Sequence, residues 1–270
     1  MQRHLPRPSN ASYDGRPVAH RCATSRAPTV SMPPPTPRAA TLVAVVARPT
    51  NAENRHAEST VRWRQRLAAY QRHLEWSIPV PCETLLDVGC GAISPISGFR
   101  ERLKWTVGVD AHAPSVARSK SLGIHDEYVV TDVLNIAAHF GPKSFDCVLA
   151  SDVVEHLTKP DGFRLIRLME EVARVRVLIF TPNGFMPQRA YDENARQEHL
   201  SGWEVSEMRR LGYRVIGING WRPLRGERAA LKWQPRPLWR AISFASRIFT
   251  GERPEHAFQI LCSKDVGEPA

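Results

Sequence analysis

A short glycine-containing turn is the segment of this sequence with the clearest chemical signature. Gly89 and Gly91 follow the apolar segment 84–88, and a helical pattern comes after them. Glycine has no Cβ, so the backbone there can adopt conformations that bring it close to a ligand. A loop between a strand and a helix also presents amide donors at the carboxyl edge of a sheet. The turn therefore indicates a site for a nucleoside-containing cofactor.

Two carboxylates near this turn narrow the choice of cofactor. Asp87 precedes the glycines, where its charge would repel a pyrophosphate but can bind the ammonium group of an amino acid. Asp110 ends the next predicted strand, 19 residues after Gly91, where a carboxylate can accept both hydroxyls of a ribose. A dinucleotide motif would have its third glycine at position 94, which is Ser94. The pattern favours a nucleoside that carries an amine.

At these residues the sequence resembles the class I S-adenosylmethionine-dependent methyltransferases, whose first motif reads acid-x-Gly-x-Gly. The resemblance covers roughly residues 83–220 and the final predicted strand, and it is strongest to the type 11 and ubiquinone-methyltransferase-like branches. It implies S-adenosylmethionine as the cofactor and a Rossmann-like fold. The cofactor-binding residues that it implies are Asp87, Gly89 and Gly91 at the methionine moiety, Asp110 at the ribose and Asp132 at the adenine.

A second segment, residues 150–157, resembles the motif that follows the fourth strand in those branches. The resemblance implies that Ser151 and Asp152 lie at the carboxyl edge beside the sulfonium. Glu155 and His156 follow Asp152 by three and four residues, so on one helical turn their side chains could converge with that of Asp152.

Those three side chains and His199 are the only candidates for a metal site. Some ubiquinone O-methyltransferases and small-RNA 2′-O-methyltransferases have Glu-x-x-Glu-His followed by a later His. Here Asp152 replaces the first Glu, and Leu157 stands where the RNA enzymes have a further His. We therefore expect no bound metal, and we expect Glu155 and His156 to orient the loop or to cap a helix. A divalent metal held by Asp152, Glu155, His156 and His199 is the alternative.

Histidines supply the candidate catalytic groups. If the acceptor is a hydroxyl, His199 or His156 is the expected base, because an imidazole can take a proton near neutral pH. His199 could instead only bind its own loop. Three other histidines, His112, His125 and His139, fall in or beside predicted surface helices and are expected to be solvated.

Strand and helix patterns alternate along the rest of the chain. This alternation predicts an α/β fold, a doubly wound and mostly parallel seven-stranded sheet with helices on both faces. The resemblance implies that the last strand is reversed. The predicted strands are 84–88, 105–109, 128–131, 145–150, 175–181, 213–219 and 257–263. The predicted helices are 54–76, 95–103, 114–122, 160–173, 201–211 and 237–249.

The composition divides the chain into a tail and one domain. Residues 1–52 contain nine of the 22 prolines and many Arg, Ser and Thr, which predicts a disordered tail. The methyltransferase domain is predicted for residues 53–270, with a basic and aromatic insertion at residues 221–255. That insertion holds an amphipathic helix, which either packs on the domain or lies in a membrane interface.

The net charge of +10 is concentrated in these two segments. Residues 1–50 carry +6 and residues 221–255 carry +5, so the remainder sums to −1. A general basic groove for nucleic acid is therefore not indicated.

The five scattered cysteines fit a reducing compartment. We expect a cytoplasmic protein, and the sequence indicates no stable protein partner. We expect residues 221–255 to form a lid packed over the pocket, with a peripheral membrane contact through this segment as the alternative.

Three functions are compatible with these observations. The favoured one is an S-adenosylmethionine-dependent methyltransferase, most simply an O-methyltransferase, that acts on a small-molecule, glycan or lipid-linked acceptor. The neutral core of the domain supports it. The alternatives are an RNA methyltransferase, which would use the arginine-rich tail and insertion, and a non-catalytic module that only binds the cofactor.

Overall fold

The structure of the protein is a computed structural model that describes residues 70–80, 82–190, 194–226 and 230–267. The tail predicted for residues 1–52, and most of the helix predicted for residues 54–76, lie outside these ranges. The end of that helix is present as α1, residues 70–77. Within the described ranges, no helix has the length and apolarity needed to cross a bilayer.

Seven strands form a single mixed sheet in the order β3-β2-β1-β4-β5-β7-β6. Strands β1 to β5 run parallel to their neighbours, whereas β7 runs antiparallel to both β5 and β6. The predicted fold class, including the reversed last strand, is confirmed. The strands are β1 (Thr84–Val88), β2 (Trp105–Asp110), β3 (Glu127–Val130), β4 (Phe145–Ser151), β5 (Ala173–Pro182), β6 (Arg214–Trp221) and β7 (Ala257–Asp265).

The helices connect these strands and cover the two faces of the sheet. They are α2 (Ala113–Ser121), α3 (Ile136–His139), α4 (Lys159–Val172), α5 (Val205–Arg210) and α6 (Arg236–Glu252). α5 begins at Val205 and not at the predicted residue 201. The buried hydroxyl of Ser201 donates to the carbonyl of Val154.

The prediction of a single helix over residues 95–103 is wrong. This segment forms two 3-10 turns, Pro95–Gly98 and Arg100–Arg102. Ile96 and Phe99 are both buried, and side chains three residues apart lie on the same side of a 3-10 turn. The tighter turn thus buries both apolar side chains.

Alternate residues of the central strands enter two hydrophobic clusters, one on each face of the sheet. In β1, Leu86 and Val88 join one cluster and Leu85 joins the other. Both faces are therefore buried, as is typical of parallel sheets covered by helices. Since side chains alternate along a strand, Asp87 lies on the same face as Leu85.

α6 packs on β6 in an unusual orientation, with its small polar residues turned inward. Ser243 and Thr250 are buried, and a Cβ built on Gly217 of β6 would lie 2.0 Å from the carbonyl oxygen of Thr250. The helix backbone therefore rests almost directly on the strand. The large apolar side chains of α6 face solvent, namely Leu238, Ile242, Phe244, Ile248 and Phe249.

We expect Gly217→Ala to lower the free energy of unfolding by about 1–3 kcal/mol, because the new methyl group has to displace the backbone of α6. Urea denaturation measures this change. Gly251→Ala is the matched control within α6, since a Cβ there meets nothing within 4 Å. The control should be neutral or more stable by up to about 1 kcal/mol. Equal stability of Gly217→Ala and the wild type would contradict the close packing.

Candidate active site

One edge of the sheet collects the residues predicted to do chemistry. Because β7 is reversed, β6 runs in the same direction as β1 to β5, and the carboxyl ends of all six strands lie at this edge. The glycine loop follows β1, Asp110 ends β2, and Ser151 ends β4. Ligands of open α/β sheets bind at this edge.

The glycine loop is held against β2 and leaves space beside its second glycine. Gly89 and Gly91 have φ angles of 72° and 57°, in the left-handed region that favours glycine. The amide of Gly89 donates to the carbonyl of Val109 at 2.7 Å. A Cβ at Gly89 would lie 2.4 Å from the side chain of Val153, whereas a Cβ at Gly91 would meet nothing within 4 Å. The second glycine is thus the one open to a ligand.

Asp87 lies behind this loop and is almost completely buried. Its Oδ2 accepts hydrogen bonds from the hydroxyl of Ser94, at 2.5 Å, and from Nε2 of His125, at 2.9 Å. The expectation that His125 is solvated was wrong, because its side chain has no exposed area. The segment between α2 and β3 turns His125 inward, and its position beside a helix gave no sign of this.

Asp110 and Asp132 follow neighbouring strands and differ in how their carboxylates are engaged. Asp110 accepts backbone amides at both oxygens, from Gly91 at 2.9 Å and from His112 at 2.7 Å. Asp132 accepts the amide of Leu134 at 3.0 Å and forms an ion pair with Arg196 at 2.8 Å. Burial alone would raise the pKa of Asp132, but these two contacts outweigh burial and lower the pKa.

Tyr70, the first described residue of α1, lies next to Ser151. The ring of Tyr70 stacks on Phe180 with centroids 3.8 Å apart, and its hydroxyl donates to Ser151 Oγ at 3.1 Å. The neighbouring Asp152 has a φ of 53°, and its Oδ1 accepts from Nε2 of Gln259 at 3.2 Å. Tyr70 and Gln259 were missed because each has the spacing of an ordinary helix or strand residue.

The buried Glu155 joins the turn after β4 to the segment after β5. Its Oε2 accepts the hydroxyl of Thr181 at 2.9 Å, and its main-chain carbonyl accepts the amides of Leu200 and Ser201 at 2.8 and 3.0 Å. Burial raises the pKa of Glu155 to about 7. These bonds place His199 beside the turn that carries Glu155.

His156 and His199 form a pair, with ring centroids 4.8 Å apart. Nδ1 of His156 lies 3.1 Å from the carbonyl of Glu198, and Nδ1 of His199 lies 2.7 Å from the carbonyl of Met186. A carbonyl only accepts, so each Nδ1 donates, and in the neutral ring the basic nitrogen is Nε2. Burial lowers the pKa of both rings, so both are neutral near pH 7.

Three of the four residues predicted as alternative metal ligands lie together. Glu155, His156 and His199 each offer one ligand atom, and these atoms lie within 4.8 Å of one another. One carboxylate and two imidazoles suit zinc or iron, and metal-ligating histidines usually donate their other nitrogen to a carbonyl or carboxylate. The residues present therefore fit a divalent cation.

Asp152 is not part of this group. The sequence analysis assumed a helical turn at residues 152–156, on which the carboxylates would converge. The chain instead passes through the left-handed conformation of Asp152 into a 3-10 turn, Val154–His156. The Asp152 carboxylate accepts from Gln259 and is also hydrogen-bonded to the side chain of Glu155, but it is not among the grouped ligand atoms.

Part of the chain is similar to a known protein family. Residues 86–177 match the model of a family described as a methyltransferase domain, type 11. No curated protein matches the sequence.

Several solved structures are similar to the chain at low identity. An S-adenosylmethionine-dependent methyltransferase from Archaeoglobus fulgidus is 17% identical, with a TM-score of 0.48, over 74% of this chain and 94% of that one. Magnesium protoporphyrin IX methyltransferase from Synechocystis PCC 6803, with bound S-adenosylmethionine, is 16% identical, with a TM-score of 0.46, over 76% and 80%. An S-adenosylmethionine-dependent methyltransferase from Mesorhizobium loti is 15% identical, with a TM-score of 0.47, over 72% and 96%. Likeness at this level says nothing of the acceptor.

We expect Glu155→Gln to change how the stability of the protein depends on pH. The folded-state pKa of Glu155 is raised above 4.5, so its protonated form adds stability that is complete below pH 4.5 and is lost as pH rises through about 7. Across that interval, the free energy of unfolding in urea should fall by a few kcal/mol more in the wild type than in the variant. Glu198→Gln, at an exposed carboxylate, should follow the wild type. Identical curves for Glu155→Gln and the wild type would contradict this assignment.

Proposed function

We propose that the chain is an S-adenosylmethionine-dependent methyltransferase that methylates an oxygen atom of a small-molecule, glycan or lipid-linked acceptor. The match of residues 86–177 to the model of a methyltransferase-domain family supports the reaction type. The observation that carries this proposal is the pair of neutral histidines, His156 and His199, at the sheet edge that also holds the glycine loop. A hydroxyl acceptor needs a base of this kind, whereas a carboxylate acceptor would need none.

We assign the cofactor to the loop and strand ends along this edge. The open space beside Gly91 and the two-sided anchoring of Asp110 support a ribose bound by that carboxylate. Asp87 is enclosed by Ser94 and His125, so we assign it the role of fixing the loop from behind. The remaining proposed contacts are Gly89 and Gly91 at the methionine moiety, Asp132 at the adenine, and Ser151 and Asp152 beside the sulfonium.

When bound, the cofactor supplies a methyl group on a sulfonium, whose leaving group is already activated. The chain itself has to align the acceptor with that methyl group and keep water out. Tyr70 and Phe180 stack at the end of β4 and β5, where they can wall off the reacting atoms. Ser151, which accepts the tyrosine hydroxyl, fixes this wall to β4.

His199 or His156 would take the proton from the acceptor hydroxyl. Burial keeps each imidazole neutral near pH 7, so Nε2 has a lone pair available for that proton. The bonds from Nδ1 to the carbonyls of Glu198 and Met186 hold the two rings in the required tautomer.

Glu155, His156 and His199 are also the residues that would hold a divalent cation. Such a cation, when bound, supplies Lewis-acid stabilisation to the acceptor oxygen. We retain metal-free base catalysis as the proposal, because Asp152, which replaces the first Glu of the metal-dependent relatives, lies outside the group. The metal content of the purified protein separates the two roles of these histidines.

An RNA methyltransferase is the alternative that the charge distribution disfavours. The excess positive charge lies in residues 1–50 and 221–255, while the rest of the chain sums to −1. Binding that weakened steeply with salt would support the RNA alternative.

The outward apolar side of α6 supports a peripheral contact with an anionic membrane surface. Phe244 and Ile248 are 68% and 86% exposed, and Arg236 and Arg240 are exposed on the same helix. Interfacial helices combine an apolar side with basic residues in this way. Residues 221–255 carry +5, so two copies of this surface would repel one another, whereas anionic lipid headgroups complement it.

The wild-type protein should therefore co-sediment with vesicles that contain phosphatidylglycerol and stay in solution with pure phosphatidylcholine. Replacing both exposed residues, Phe244→Ser with Ile248→Ser, should abolish co-sedimentation. The matched control is Leu122→Ser with Val130→Ser, which removes exposed apolar side chains outside α6 and should bind like the wild type. A wild-type protein that remains in the supernatant, or that dimerises through these two residues, would refute the membrane contact.

The proposed function is tested by transfer of labelled methyl groups. With S-adenosylmethionine labelled at the methyl group, the wild type should label a small-molecule or lipid fraction of a cell extract. Asp110→Ala should label nothing and should bind S-adenosylhomocysteine at least about tenfold more weakly in calorimetry, because a charged hydrogen-bond acceptor is lost.

Glu101→Ala, at an exposed carboxylate, is the control for that variant and should keep the wild-type affinity. An unchanged affinity in Asp110→Ala would refute the ribose assignment. Label that appeared only in RNA would refute a small acceptor.

A further inference from the structure

An open cleft of about 480 Å³ lies between the segment that follows β5 and the segment that follows β6. One wall is apolar and consists of residues 185–187. The rest of the lining includes a basic wall, Arg222, Arg225 and Lys232. The volume is in the range of sites that bind small molecules. Because β5 and β6 both end at the edge that holds the glycine loop, the cleft opens on the same edge as the candidate active site.

Within the described ranges, the charged residues that line the cleft are all cations. Arg225 is fixed in place, since its Nε donates to the carbonyl of Asn219 at 2.9 Å and an Nη donates to the hydroxyl of Ser243 at 2.9 Å. Arg222 and Lys232 are exposed, and neither forms an ion pair with an acid of the described ranges. Like charges gathered at one wall repel one another, and an anion bound between them relieves that repulsion.

Hydrogen bonds connect the basic wall of the cleft to the candidate active site. Asn219, whose carbonyl holds Arg225, donates through Nδ2 to Oε1 of Gln259 at 2.6 Å. Gln259 in turn donates through Nε2 to Oδ1 of Asp152 at 3.2 Å. The position of Arg225 is therefore linked, residue by residue, to the side chain proposed to lie beside the sulfonium.

The apolar wall is connected to the same site through His199. Nδ1 of His199 donates to the carbonyl of Met186, which is in the middle of that wall. The amide of His199 also donates to the carbonyl of Gln188 at 3.1 Å. A group bound in the cleft would thus lie between two walls that are both connected to the candidate active site. The apolar wall is connected through His199, and the basic wall is connected through Asp152.

We propose that this cleft binds an anionic group of the methyl acceptor, a phosphate or a carboxylate, through Arg222, Arg225 and Lys232. This inference rests on the proposed function, whose acceptor class it specifies. Guanidinium and ammonium groups form strong charge-assisted hydrogen bonds with oxyanions, and three cations favour a doubly charged phosphate over a carboxylate. The apolar wall receives the part of the acceptor next to the anion. The acceptor is accordingly an acidic small molecule and not a neutral one.

Calorimetry with small probes tests this site without knowledge of the natural acceptor. Phenyl phosphate, benzoate and benzyl alcohol share a ring that suits the apolar wall and differ in charge. In the presence of saturating S-adenosylhomocysteine, phenyl phosphate should bind with a stoichiometry of one, benzoate more weakly, and benzyl alcohol not measurably. Tighter binding of benzoate would identify a carboxylate as the anion.

The double variant Arg222→Gln with Lys232→Gln should weaken phenyl phosphate binding at least about tenfold. Arg236→Gln with Arg240→Gln removes the same charge from α6, outside the residues that line the cleft, and should bind phenyl phosphate like the wild type. Equal weakening in both double variants would reduce the effect to diffuse charge and overturn the site. Equal binding of phenyl phosphate and benzyl alcohol would overturn it as well.

Two further measurements separate this inference from the proposed function. Both double variants should bind S-adenosylhomocysteine with the wild-type affinity, because they leave the cofactor site unchanged. A wild-type protein that did not bind S-adenosylhomocysteine at all would count against the proposed function and not against the cleft. A single-stranded RNA oligonucleotide should not displace phenyl phosphate. Displacement by RNA that is lost in the Arg222→Gln, Lys232→Gln variant would assign the cleft to nucleic acid and overturn the small acceptor.

Discussion

Six strands of the sheet point in one direction, and the glycine loop, Asp110, Asp132, Ser151 and the segments that carry Glu155 and His199 all lie at or after their carboxyl ends. The reversal of β7 is essential to this arrangement, because β6 can then lie beside β7 and still end at the same edge as β1. The cofactor loop after β1 and the cleft between the segments after β5 and β6 thereby face the same side.

Two buried carboxylates hold the loops of this edge in place. A buried carboxylate is costly unless it is hydrogen-bonded, and both are bonded by residues distant in the chain. Asp87 is bonded by His125 and thereby links the glycine loop to the segment before β3. Glu155 is bonded by Thr181 at its side chain, and its carbonyl receives the amides after His199. Each carboxylate joins a segment of the candidate active site to a distant part of the chain.

α6 shows how one glycine can decide which side of a helix faces the protein. Because Gly217 has no side chain, the backbone of α6 lies directly on β6, and only small side chains such as Ser243 and Thr250 fit between them. The apolar side of the helix is consequently left outside, although in an ordinary surface helix that side packs against the core. The proposed contact with a membrane and the proposed anion-binding cleft arise from neighbouring parts of the same basic segment.

The sequence alone determined the fold class, the approximate positions of the strands and the cofactor loop, because each of these depends on local patterns. Apolar runs of strand length predict strands. The 19-residue step from Gly91 to Asp110 is the length of a helix followed by a strand, which places both residues at the ends of neighbouring strands. The sequence also predicted His156 and His199 as candidate bases, since both follow predicted strands.

Only the tertiary structure decided which of these side chains meet and which way they face. His125 is bonded to Asp87 across 38 positions of sequence, and Arg225 is linked to Asp152 through Asn219 and Gln259. The left-handed conformation of Asp152 removed it from the predicted metal-binding set, although its spacing from Glu155 had suggested otherwise. Spacing along a chain fixes the distance between residues only within a regular element. Contacts between elements depend on how the sheet brings their ends together, and no local pattern encodes that.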